Sequence, residues 1–176
     1  MNFIKLDFSG VLQHYSPYNY VVTAPSSTYY RTERYPTKKA VVGIVSASLG
    51  YPRNDNRIVE LFDKLDCRYK VVKSGTVITD FQTVRPLKGY KFVKFNGDTS
   101  DEAILKTVEY LQDYKFNVYI GADDETLETI YKALINPVYH QYFGKRSCVP
   151  MTPIATSFEL LTNDVIEGDA NVYVCV

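Results

Sequence analysis

Val108-Glu109-Tyr110-Leu111-Gln112-Asp113-Tyr114-Lys115-Phe116-Asn117-Val118-Tyr119-Ile120 is the stretch that decides the architecture. Val108, Tyr110, Gln112, Tyr114, Phe116, Val118 and Ile120 recur every second residue, which puts them on one face of an extended chain. The overlapping run Thr99 to Leu111 also fits a capped helix. The longer alternation favours a strand over about 108–120, with room for a helical turn before it.

Downstream, residues 123–135 read as a helix. Asp123, Asp124 and Glu125 suit its positive end, Leu127, Ile130, Tyr131 and Leu134 share a face, and Asn136-Pro137 stops it. Upstream, residues 67–73 and 76–84 read as two strands around Ser74-Gly75, a hairpin signal. Residues 85–97 set Arg85, Lys88, Lys91 and Lys94 among Tyr90, Phe92 and Phe95, a basic and aromatic projection with few core candidates. Thr37 is a candidate N-cap for a helix over Ala40 to Leu49, with Val41, Ile44, Val45 and Leu49 at helical spacing and Gly50 after them. A shorter helix fits about 55–65, with Ile58, Leu61, Phe62 and Leu65 on one side. Residues 2–8 alternate as a first strand through Phe3, Leu6 and Phe8, with Ile4 out of register. Residues 14–36, with Pro17, Pro25 and Pro36, read as a long irregular loop. A loop over 138–153 and one or two strands finish the chain. This order suits an α+β sandwich of the ferredoxin or RRM type, one domain over 1–176.

Charge is divided along the chain although the total is zero. Residues 1–97 hold 15 Lys+Arg against 7 Asp+Glu, a net of +8, and residues 98–176 hold 5 against 13, a net of −8. A basic half can follow a phosphate backbone, and an acidic half can dock on a basic partner. The plainer alternative is that the halves interleave in space. The 16 Tyr offer stacking surfaces for bases or protein, although most such rings pack in cores or rims. Cys67, Cys148 and Cys175 are widely spaced and odd in number, which suggests reduced, partly buried thiols and no zinc site. No apolar run is long enough for a membrane helix and the N-terminus has no signal-peptide core, so a cytoplasmic protein is expected.

Three segments are rich in donors. In Tyr35-Pro36-Thr37-Lys38-Lys39-Ala40, two lysines occupy the first turn of a helix, where the macrodipole disfavours them and a bound anion would offset the cost. Gly43 would admit a neighbouring backbone. In Tyr142-Phe143-Gly144-Lys145-Arg146-Ser147-Cys148, Gly144 permits a tight turn that points three donors outward. Thr79-Asp80-Phe81-Gln82-Thr83-Val84-Arg85 leads into the basic projection, where alternating rings and cations can wedge bases and hold phosphates. Each segment alone is equally well read as a solvated surface. Catalytic signatures are thin: two histidines, His14 and His140, and no H-E-x-x-H, Walker loop or G-x-G-x-x-G. No metal, cofactor or catalytic residue is assigned.

In this order the segments resemble the CasD family, the handle-binding subunit of type I-E CRISPR Cascade complexes. The resemblance rests on Phe8 to Gln13, on Arg31 to Lys39 running into Ser48-Leu49-Gly50, on Asp80-Phe81-Gln82-Thr83, on Tyr110-Leu111-Gln112-Asp113 with Phe116, and on Asn136-Pro137 to Ser147-Cys148. The chain departs from the family at Tyr15, Lys39-Ala40 and Lys145, and in a short thumb and C-terminal part. The resemblance implies a ferredoxin/RRM-like body with a protruding β-hairpin thumb at about 76–118. It also implies a non-catalytic, antiviral role in which the body binds the 5′ handle of the guide RNA. Carried over by position, Gln13, Arg31, Arg34, Thr37, Lys38, Lys39, Lys145, Arg146 and Ser147 would contact the handle, and Phe81, Thr83 and Arg85 would form the thumb base. The implied partners are the guide RNA, a Cascade backbone subunit and the large subunit, with no membrane and no independent homo-oligomer. Two alternatives stay open: a metal-independent endoribonuclease using His14 or His140, and a Cascade-subunit mimic acting through protein contacts alone.

Overall fold

The computed structural model of the chain describes residues 1–17, 22–24, 27–93 and 97–176. The first part runs β1 (Asn2–Ser9), β2 (Leu12–Gln13), β3 (Val22–Ala24), β4 (Ser27–Tyr30), α1 (Lys38–Ser48) and α2 (Asn56–Lys64). It continues through β5 (Asp66–Lys73), β6 (Thr76–Val84), β7 (Phe92–Val93), β8 (Thr99–Ser100), β9 (Ile104–Gln112) and β10 (Lys115–Ala122). The last part holds α3 (Asp124–Ile135), β11 (Leu161–Thr162), α4 (Asn163–Glu167) and β12 (Val172–Val174). The fold is mixed α+β.

Alternation in β1 puts Ile4, Leu6 and Phe8 into the main core under α1 and α3. Phe3 points the other way, to Tyr119 and Ile166. Ile4 is therefore in register and Phe3 is the exception, because this sheet is covered on both faces. The sheet runs β11-β1-β10-β5-β12, every neighbour antiparallel. Its back is crossed by residues 161–174, which pair with β1 at one edge and β5 at the other and bring α4, an element the sequence reading lacked.

The strand expected over 108–120 is two strands, β9 and β10, broken at Asp113 with φ 60°. The strands around Ser74-Gly75 also exist, but they do not pair with each other. Instead β5 pairs with β10 from Asp66↔Gly121 to Lys73↔Lys115, and β6 pairs with β9 from Thr76↔Gln112 to Val84↔Ile104. Residues 66–84 and 104–122 thus form one long antiparallel ribbon that bends from the first sheet into a second. At the bend a side chain on Gly75 would place its Cβ 1.8 Å from the Gln112 carbonyl oxygen, so only glycine lets the two chains cross this closely.

The second sheet is built on β9. One edge pairs with β6, and the other is shared by β2 at Leu111–Gln112 and by β4, which runs parallel along Leu105–Val108. Ser27–Tyr30 is therefore strand where an irregular loop was expected. Pro25 of that loop, like Lys94 and Phe95 of the basic projection, lies outside the described residues. Beyond Val84 the arm continues into the small β7–β8 pair.

Both long helices follow their caps. Thr37 Oγ1 accepts from the Ala40 N–H at 3.3 Å to open α1, and Gly50 at φ 78° ends it. Asp123 Oδ1 accepts from the Thr126 N–H at 2.9 Å to open α3, whose Leu127, Ile130 and Leu134 are buried.

Candidate nucleic-acid interface

The first turn of α1 keeps a donor free. The Lys38 N–H donates to the Val176 carbonyl at 3.3 Å, while those of Ala40 and Val41 donate to the Thr37 carbonyl at 2.9 and 3.1 Å. The Lys39 N–H has no partner among the described residues. Free N–H groups and the helix dipole favour an anion here.

The Gly144 turn is held from inside. Phe143 is buried against Phe8, with ring centroids 4.9 Å apart. Its N–H donates to the Cys148 carbonyl and the Cys148 N–H donates to the Lys145 carbonyl, both at 2.8 Å, which closes the loop and turns Lys145, Arg146 and Ser147 outward. Gly144 has φ 86°, and a Cβ there would lie 1.7 Å from the His14 carbonyl oxygen. Glycine is required on both counts.

The two places border one cleft of about 1070 Å³, lined by Thr37, Lys39 and Gly43 from α1, by Lys145 and Arg146 from the loop, and by His14. Lys39, Lys145 and Arg146 have no carboxylate within ion-pair distance among the described residues. Lys145 lies over the Tyr30 ring at 4.5 Å. Its ammonium is easier to deprotonate than an ordinary lysine's, first because it is partly buried and second because Lys106 is near. Gly43 has no neighbour within 4 Å of a Cβ position, so the backbone approach expected there is not made by the protein; the glycine opens into the cleft.

Other expected contacts lie elsewhere. Gln13 is fully buried: its Nε2 donates to the Tyr114 carbonyl at 2.7 Å and its Oε1 accepts from the Tyr15 hydroxyl at 2.6 Å. It fastens β2 to the β9–β10 turn and leaves no surface for direct contact. The Lys38 ammonium rests on Phe62 at 4.7 Å, and Arg31 rests on Tyr29 at 5.7 Å. Neither lines the cleft, nor do exposed Arg34 and Ser147. Phe81, Thr83 and Arg85 are exposed on or beside β6, away from the cleft.

Glu109 organises the cleft from behind, a role not seen in the sequence. Its carboxylate accepts from the Tyr29 hydroxyl at 2.7 Å and the Thr32 N–H at 3.2 Å. Its carbonyl is 2.8 Å from His14 Nδ1. A carbonyl only accepts, so Nδ1 carries the proton and Nε2 takes the Ser16 hydroxyl at 3.2 Å. Burial, then the charges of Lys145 and Lys106, hold the His14 pKa below 6.5, so the ring is neutral at pH 7. His140 borders the same cleft and is exposed.

All three cysteines are free and buried, and burial pushes the Cys67 thiol up to about 12. Among the described residues no His, Cys, Asp and Glu side chains gather as a metal site, and no helix is long and apolar enough to cross a membrane.

A family model described as "CRISPR-associated protein (Cas_Cas5)" matches residues 3–171. The Cascade subunit CasD of Escherichia coli (strain K12) is 26% identical over 160 residues, covering 86% of this chain and 68% of that protein. A solved structure described as a CRISPR RNA-guided surveillance complex aligns with a TM-score of 0.74 at 22% identity, over 94% of this chain and 66% of that one. A crystal structure of a Cas protein aligns with a TM-score of 0.59 at 22% identity, over 88% and 62%. The chain thus spans about two thirds of the length of these relatives, and the two structures share its fold. With the match running almost end to end, the chain belongs to the CRISPR-associated Cas5 protein family.

Proposed function

We propose that this chain is a non-catalytic subunit of a Cascade-type CRISPR surveillance complex and that its cleft holds the 5′ handle of the guide RNA. The observation that carries this is the meeting of the α1 start with the Gly144 turn around one cleft, whose Lys39, Lys145 and Arg146 have no carboxylate within ion-pair distance among the described residues. A phosphate backbone supplies the missing negative charge. The family supports a role in CRISPR defence, and the E. coli relative is by name a Cascade subunit. The order β11-β1-β10-β5, with β1, β5, β10 and β11 linked through helices and the ribbon, supports a ferredoxin-like body. The β6–β9 arm then acts as the thumb, presenting Phe81, Thr83 and Arg85 to a backbone subunit, while the large subunit docks on the body in the cytoplasm.

The test is a salt titration of binding to a fluorescent single-stranded RNA carrying the repeat-derived handle. The double change Lys145→Ala with Arg146→Ala weakens binding and lowers the slope of log K against log salt by about one to two units. An unchanged slope refutes the assignment. A second reading, metal-independent cleavage of repeat RNA, draws on His14 and His140 bordering the same cleft. A discrete cleavage product formed by purified protein in EDTA supports that reading, and intact RNA removes it.

A further inference from the structure

Lys106 stands on the arm near Lys145, outside the lining of the cleft. It lies on β9 two residues before Val108 and four before Tyr110, both buried in the main core. The period of two gives Lys106 the same face, so it is the point where a core-facing row of side chains ends in a cation. Tyr30 pairs with Val108 across the parallel β4–β9 contact. The Lys106 ammonium lies 5.1 Å from the Tyr30 ring centroid, and the Lys145 ammonium lies 4.5 Å from the same centroid. Two ammonium groups from different elements thus share one aromatic ring. On the antiparallel side Gln82 is opposite Lys106 and Asp80 is opposite Val108. Asp80 accepts from Gln82 Nε2 at 2.5 Å and makes no ion pair with Lys106. Glu109, on the other face of β9, is occupied by Tyr29 and Thr32. Like charges brought together without a counter-ion repel, and an anion between them turns that cost into attraction.

We propose that Lys106 and Lys145 together grip one phosphate of the RNA strand as it leaves the cleft, with Tyr30 as the platform beneath, so that the bound strand ties the arm to the body loop. This rests on the RNA-binding reading above and adds to it a residue, a path and a shared phosphate. Burial and, second to it, the Lys106 charge ease deprotonation of Lys145 in the free protein, and a phosphate between the two ammonium groups relieves the second of these.

The experiment uses the full chain and a fluorescent single-stranded RNA of about ten nucleotides. Lys106→Ala is expected to weaken binding several-fold and lower the salt slope by about 0.7, the value for one single-strand phosphate contact. Lys106→Arg should restore most of the loss, and Lys5→Ala, on the opposite face of the first sheet, should change nothing. The double change Lys106→Ala with Lys145→Ala should cost less than the two single losses combined, because both grip one group. Lys106→Gln replaces the alanine variant if thermal unfolding shows that alanine disturbs the strand. Acetylation footprinting of the unaltered protein gives an independent reading: RNA should protect Lys106 and Lys145 together. An unchanged salt slope in Lys106→Ala and in Lys106→Gln, or strictly additive losses, overturns the shared grip while leaving the cleft as an RNA site. Failure of the unaltered protein to bind RNA overturns the broader reading and this one with it.

Discussion

The back of the first sheet pairs most of its cations with carboxylates and leaves Lys5 exposed, whereas Lys39, Lys145 and Arg146 of the cleft have no such pair among the described residues. On the back, Arg68 reaches Asp66 at 2.8 Å and Glu167 at 3.6 Å, Lys70 reaches Asp169 at 2.5 Å, and Lys115 reaches Asp7 at 2.9 Å. Glu167 and Asp169 come from the acidic second half of the chain, so part of the charge asymmetry in the sequence is cancelled in space. In the cleft, Lys39, Lys145 and Arg146 have no carboxylate within ion-pair distance among the described residues. The matched cations join strands and helices of the body, whereas those of the cleft are open to whatever anion enters it. The field that a partner meets is therefore set by the unpaired remainder, which no count along the chain reveals.

The sharpest way to break this contrast is Gly144→Ala. A Cβ would collide with the His14 carbonyl and hold φ 86° against its preference, so the loop must shift. The expected loss is about 1–3 kcal/mol of stability, with a large loss of RNA affinity, read by denaturant unfolding and the binding titration. A native-like binding curve would mean that the loop's geometry is not what positions its cations. Next in size is Arg68→Met on the back face. It should cost no more than about 1 kcal/mol and leave the salt slope of RNA binding unchanged. A changed slope would mean that the paired cations also meet the RNA and that the two regions are not distinct.

The smallest effect separates the regions by pH. His14 titrates below 6.5 in the folded protein, so the unfolded chain binds the proton more readily and stability declines as pH falls below 6.5. His14→Gln should flatten that decline. Asp169 is held below 3.8 by the Lys70 ammonium, so its contribution persists above that value and is lost only in stronger acid. Unfolding measured from pH 7 to 3 should show the cleft's share first and the back's share later. A decline below 6.5 that survives His14→Gln would assign it to other groups.

Local chemistry made much of this readable in advance. Thr37 and Asp123 cap the helices that their spacing announces, and the α1 start and the Gly144 turn do share a cleft. What escaped reading depended on contacts between distant residues. Gln13 matches a family position, yet its hydrogen bonds to Tyr15 and Tyr114 take it out of reach of solvent. The break at Asp113 hid inside an alternation that continues in both sheets, because the period survives a bend. Lys106 did carry a signal, a lysine in step with Val108 and Tyr110, but a strand read as beginning at 108 excluded it. The parallel seat of β4 and the crossing of residues 161–174 leave no periodic trace in chains this short.

Gly75 and Asp113 also separate what can vary from what cannot. Past Val84 and Ile104 the ribbon no longer pairs with the body. Matched insertions there would lengthen the arm by about 3.3 Å per added rung while every core register stays in place. Such growth is neutral only in even steps, since one extra residue would exchange the two faces of everything beyond it. The arm can thus be graduated in units of two residues while the body beneath it stays unchanged.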